Sequence, residues 1–132
     1  MQQKPQKPLE EVIRADGRYP LAAYAFLQEG FARAVKDVYG DDASKPPEPH
    51  VTGQQLCLAL RERAKEKWGL LAGTVLDRWN IRATIDFGNM VFLQIQSGHM
   101  GRQEEDSLED FRDVYDFGEA FGADEEFESA DE

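Results

Sequence analysis

The chain has 132 residues, 41% of them apolar and 11% aromatic, which allows one domain with a modest core. Its formal net charge of −11 is concentrated in one place: residues 103–132 hold 14 Asp or Glu against the single Arg112. The remaining 102 residues carry a net charge of only +2, so the acidity describes the tail and not the fold. One cysteine, Cys57, excludes an internal disulfide. No apolar stretch approaches the ~20 residues of a membrane span and no secretory signal is present, so the expectation is a cytoplasmic protein that does not enter a membrane.

Residues 1–7 are polar and punctuated by proline, an expected disordered N-terminus. From Pro8, the stripe of Leu9, Val12 and Ile13 predicts a short helix ended by Gly17. Pro20 opens a longer one, in which Tyr24, Leu27, Phe31, Ala34, Val35 and Val38 recur at helical spacing up to Gly40. Asp41–Pro49 reads as an extended loop. Thr52 and Gln55 then form a capping box, with Val51 and Leu56 placed as a hydrophobic staple. The stripe of Leu56, Leu60 and Ala64 runs towards Trp68. Gly69 interrupts it, and Leu71, Val75, Leu76 and Trp79 continue a second helix that Asn80 can stop in a left-handed conformation.

Residues 82–97 read two ways. Gly88-Asn89 between β-rich runs predicts a β-hairpin, which pattern alone favours slightly. The same segment reads as a helix capped by Thr84, with Asp86 in its first turn and Gly98 beyond its end. After Gly101 the acidic segment begins. Ser107-x-x-Asp110 resembles a cap, and Leu108, Phe111 and Tyr115 share a helical face. Residues 122–132 have a disordered composition.

No catalytic constellation or cofactor motif stands out, and none is expected. A dyad of Cys57 with His50 or His99 would need a partner brought from a distance. Carboxylates at 104–106, 109, 110 and 113 could hold a cation, but more often form a solvated face. Asp86-Phe87-Gly88 and Asp116-Phe117-Gly118 repeat a tripeptide of kinases without the other kinase motifs. The basic residues Arg61, Arg63, Lys65, Lys67 and Arg78 follow a helix pair and could meet phosphates, or simply form a solvated face that the tail shields. Phe111, Tyr115, Phe117 and Phe121 are candidates either for binding a partner or for docking on the protein's own core as a strap.

The motifs His50-Val-Thr-Gly-Gln-Gln-Leu56, Thr74-Val-Leu76 with Trp79, Asp86-Phe-Gly88 with Val91-Phe92, Glu105-Asp-Ser107, Asp110-Phe111 and Tyr115-Asp-Phe117 with Phe121 resemble a small family of bacterial proteins. It is found mainly in planctomycete and verrucomicrobial genomes, and its function is unknown. The resemblance covers about residues 19–121. It implies a helix across 84–97 and a tail that is structurally part of the domain, and it transfers no catalytic or binding residue.

The expected fold is therefore mostly α: a helical domain of four to six helices over 8–101, an acidic aromatic strap over 102–121 and an acidic tail over 122–132. A winged-helix-like α+β arrangement, with a hairpin at 82–96, is the alternative. The expected function is a non-enzymatic cytoplasmic interaction or adaptor protein whose C-terminus engages a basic protein partner. A small nucleic-acid-binding regulator autoinhibited by its tail is the alternative.

Overall fold

A computed structural model describes residues 7–40, 50–101 and 107–122. The expected disorder of the N-terminus over residues 1–6, the whole of the expected loop over 41–49 and the acidic end over 123–132 lie outside these residues. The described residues are mostly α-helical and contain no strand. The helices are α1 (Leu9–Asp16), α2 (Leu21–Tyr39), α3 (Gly53–Trp68), α4 (Ala72–Arg78), α5 (Thr84–Gln96) and α6 (Phe117–Phe121). Two 3-10 turns, Gly69–Leu71 and Leu108–Phe111, lie before α4 and before α6.

Punctuation in the sequence sets most of these boundaries. Gly17 closes α1 at φ 75°, and Asn80 adopts φ 66° just after α4. The α3 capping box is complete: Gln55 N–H donates to Thr52 Oγ1 at 3.0 Å, and Thr52 N–H donates to Gln55 Oε1 at 2.9 Å. Val51 and Leu56, the expected staple, are both buried in the core. Leu71 departs from its expected place on the α4 stripe. It lies in the 3-10 turn and is 64% exposed, while Ala72 and Leu76 face inward.

The two longest helices among the described residues, α2 and α3, form the centre of the fold, with Phe26, Leu27, Leu56 and Leu60 fully buried. The two helices approach closely at Gly30, where a Cβ would overlap the Leu60 side chain. Beyond Leu60, Phe26, Trp68 and Trp79 close one end of the core. The Phe26 and Trp68 rings lie 4.9 Å apart, and the two indoles meet edge to face at 5.3 Å.

The segment that pattern alone assigned to a hairpin is helix α5, so the structure has no wing. Phe87, Met90, Val91 and Gln94 share its buried face at a spacing of three and four, which a strand could not bury together. Gly88 is not a turn residue. It lies mid-helix because Phe111 and Leu108 press on it, and a Cβ there would come within 2.8 Å of both. The expected cap is corrected as well. Thr84 is the first helical residue, and the cap is supplied by Asp86, whose Oδ2 accepts from Arg82 N–H at 2.8 Å and Ala83 N–H at 3.1 Å. The other Asp86 oxygen accepts from the Tyr19 hydroxyl at 2.6 Å, which ties the α1–α2 link to the start of α5.

Candidate functional site

Of the acidic strap expected over 102–121, residues 102–106 lie outside the described residues, and 107–121 are folded onto the helical body. It is not the single short helix that Leu108, Phe111 and Tyr115 suggested. Ser107 and Asp110 cap a 3-10 turn: Ser107 Oγ accepts from Glu109 N–H at 3.2 Å, and Asp110 Oδ2 accepts from Ser107 N–H at 3.2 Å. The chain then turns through Asp113 at φ 51°, and Asp116 starts α6 by accepting from Glu119 N–H at 3.0 Å. Short polar caps thus hold a segment too brief to sustain a free helix.

Phe111, Val114, Tyr115, Phe117 and Phe121 of the strap pack on the core, whereas Leu108 is 37% exposed. Phe111 is 5% exposed and meets Phe92 edge to face at 6.5 Å. Tyr115 and Phe117 stack at 5.8 Å, Phe117 lies 6.0 Å from Phe87, and Phe121 meets Phe117 edge to face at 5.1 Å. Tyr115 donates its hydroxyl to the Cys57 carbonyl at 2.9 Å, and burial pushes its phenol well above the ordinary range. The Arg61 guanidinium lies 5.4 Å from the centre of the Tyr115 ring. On the outer side, Glu109, Asp113, Asp116 and Glu119 are exposed.

The five basic candidates do not form one surface. Two residues along a helix turn it by about 200°, so Arg61 with Lys65 and Arg63 with Lys67 occupy opposite flanks of α3. Arg63 Nε and Lys67 Nζ both donate to Glu29 of α2, at 2.9 and 3.0 Å. Lys67 also lies 5.4 Å from the Trp68 ring. Arg33 extends this network by bridging Asp37 and Glu66. The result is an open groove along α2 and α3 lined by both signs of charge, including Glu29, Arg33, Lys36, Arg63 and Glu66. Arg61 faces the strap instead, and Arg78 is exposed on α4.

Cys57 is fully buried on α3, and burial pushes its thiol up to about 12, so it is not a poised thiolate. His99 sits at the surface with Nε2 2.8 Å from the Lys7 carbonyl oxygen. Among the described residues no three His, Cys, Asp or Glu side chains converge as a metal site; the carboxylates at 104–106 lie outside those residues. The repeated Asp-Phe-Gly has a structural meaning: Asp86 and Asp116 each cap a helix, and Phe87 and Phe117 face one another.

Sequence reasoning missed the residues that seat the strap. Thr84, 1% exposed, donates its hydroxyl to the Phe111 carbonyl at 2.6 Å and accepts from Val114 N–H at 3.1 Å. Three glycines on three helices form close approaches. A Cβ at Gly53 would lie 2.9 Å from Asp110 Cβ and the Phe111 ring, and one at Gly73 3.3 Å from Phe121 Cβ. Gly88 meets Phe111 and Leu108 as described above. Of these glycines only Gly88 stands inside a helix; Gly53 opens α3 and Gly73 lies in the first turn of α4, where a glycine gives no signal of a close approach.

No protein-family model, curated protein or solved structure matches the chain. The family resemblance read from the sequence therefore rests on its motifs alone. No helix among the described residues is long and apolar enough to cross a membrane.

Proposed function

We propose that the protein is a non-enzymatic cytoplasmic interaction module whose strap presents carboxylates to a basic protein surface. One observation carries this reading. The strap's aromatic side chains are spent on its own core, while Glu109, Asp113, Asp116 and Glu119 remain exposed along its outer side. Docking fixes the backbone beneath those charges, so a partner does not have to order the segment on binding. The carboxylates outside residues 107–122 add to the same negative field, which steers a cationic partner over distances comparable to the Debye length.

The nucleic-acid reading draws less support. Two of its basic residues, Arg63 and Lys67, are paired with Glu29, and Arg61 turns towards Tyr115 on the other flank.

Immobilised poly-lysine tests the proposal, with poly-glutamate as the control surface. The full chain is expected to bind poly-lysine with a steep loss on adding salt. The triple variant Glu109→Gln, Asp113→Asn, Glu119→Gln leaves the caps of Asp110 and Asp116 in place. It is expected to bind about tenfold more weakly, from three exposed contacts of roughly 0.5 kcal/mol each. Equal binding by variant and parent overturns the assignment to the strap's outer side.

A further inference from the structure

The strap leaves the body beside the most exposed large apolar side chains among the described residues. Phe121, at the end of α6, lies against α4: a Cβ at Gly73 would meet the Phe121 carbonyl oxygen at 3.2 Å and Phe121 Cβ at 3.3 Å. Leu71 and Leu70, two and three residues before Gly73, are 64% and 56% exposed on the 3-10 turn. We propose that this turn is a docking site, and that its occupant is segment 123–132 of the same chain, anchored by Phe127.

Position selects that occupant. Phe127 follows Gly122 by five residues, and extended chain of that length reaches up to about 17 Å. Leu70 and Gly73 are only three residues apart, so the reach exceeds the gap. Tethering then holds Phe127 near the turn at an effective concentration on the order of millimolar.

Charge agrees with position. Residues 123–132 carry six carboxylates and no cation. Lys65 stands one helical turn beyond Arg61, on the flank of α3 that faces the strap. It is exposed and makes no ion pair among the described residues, whereas Lys67 is already paired with Glu29.

The docking continues an interface already formed. Along the strap, rings set among carboxylates turn inward, and a cation of α3 covers one of them, as Arg61 covers Tyr115. Phe127 between Glu126 and Glu128 repeats that pattern beyond Phe121. An acidic segment with one aromatic residue does not fold by itself, but it can order against a surface already built. Leu70 and Leu71 supply that surface, because the turn keeps them out of the core that Ala72 and Leu76 enter. Docking also removes an apolar patch from contact with other molecules.

A nitroxide attached at Ser129→Cys in the full-length chain provides the test, since Cys57 is buried and its thiol stays protonated at neutral pH. In isotope-labelled protein, the methyl signals of Leu70 and Leu71 are expected to broaden strongly. Those of Val38, at the opposite end of the α2–α3 pair, are expected to stay sharp. Phe127→Ala in the same chain removes a partly buried ring and is expected to lower the docked-to-free ratio about tenfold. Broadening that is equal with and without Phe127 reports a tether alone and overturns the proposal.

Two further measurements separate the alternatives. Leu70→Ser with Leu71→Ser changes exposed positions only, and is expected to return the nitroxide to fast motion. A nitroxide spectrum unchanged by that pair overturns the turn as the site. In a mixture with the nitroxide and the isotope on different chains, Leu70 and Leu71 are expected to stay sharp. Broadening there assigns the turn to a second copy and overturns docking of the chain's own segment.

Discussion

The two flanks of α3 are held in different ways. Towards α2, contact is made by apolar side chains interleaved over the length of both helices, with Glu29, Arg63 and Lys67 pairing at the rim. Towards the strap, contact depends on a few anchors: one buried phenylalanine, one threonine hydroxyl, one tyrosine hydroxyl and glycines that admit them. The first interface spreads its energy over many atoms, and the second concentrates it. A single substitution should therefore be felt more sharply on the strap side.

Phe111→Ala gives the largest expected effect. Phe111 is buried against α3 and α5, and removing such a ring costs about 3–5 kcal/mol. Denaturant unfolding monitored by circular dichroism should show that loss, with the two tryptophans reporting the same transition. A cost below about 1 kcal/mol would mean that the strap is a surface attachment and the comparison of flanks is void.

Thr84→Val comes next. Valine keeps the shape but removes both the donor to the Phe111 carbonyl and the acceptor for Val114 N–H. Leaving buried main-chain groups unpaired costs about 1–3 kcal/mol, and Thr84→Ser is expected to recover most of it. Tyr115→Phe should cost less, about 1 kcal/mol, because the ring stays in its stack and only the bond to the Cys57 carbonyl is lost. Backbone amide exchange at Val114 distinguishes the two, since Thr84→Val exposes that amide directly and Tyr115→Phe does not.

The same contrast explains how much of the molecule could be read from its sequence. Local signals were legible. Thr52 with Gln55, Gly17 and Asn80 each act within a few residues, so their geometry follows from spacing. The α2–α3 interface was legible in part: Tyr24, Leu27 and Ala34 are buried as their stripe predicts, but the fully buried Phe26 lies off that stripe and Val38, on it, is 42% exposed at the end of α2. The strap's seat was not. Thr84 finds its partner 27 residues away, and nothing near it distinguishes a hydroxyl that ties a strap from one that caps its own helix.

Glycine misled for a related reason. In Gly88-Asn89 it signals a turn when the local sequence alone is considered, whereas here it makes room for Phe111. The five basic residues looked like one surface because sequence proximity hides the rotation between Arg61 and Arg63. The aromatic spacing of the strap did point to docking, since four exposed rings in a row are an association hazard.

The smallest expected effect lies on the other flank and concerns pH. Burial pulls the Glu29 carboxyl upward, but hydrogen bonds from Lys67 and Arg63 outweigh it and hold the group below the usual glutamate range. Glu66 is lowered as well, chiefly by its hydrogen bond from Arg33. A carboxyl that is lowered only in the folded chain adds stability above its unfolded value, near pH 4.3. That contribution disappears as pH falls through the folded value. These side chains are about a third to a half solvent-exposed, so screening keeps the effect small. Melting temperatures of the parent and Glu29→Gln should therefore differ modestly at neutral pH and converge on acidification below the glutamate range. High salt should reduce the neutral difference. Parallel curves across the whole range would show that the rim pairs add nothing, and that apolar contact alone holds α2 to α3.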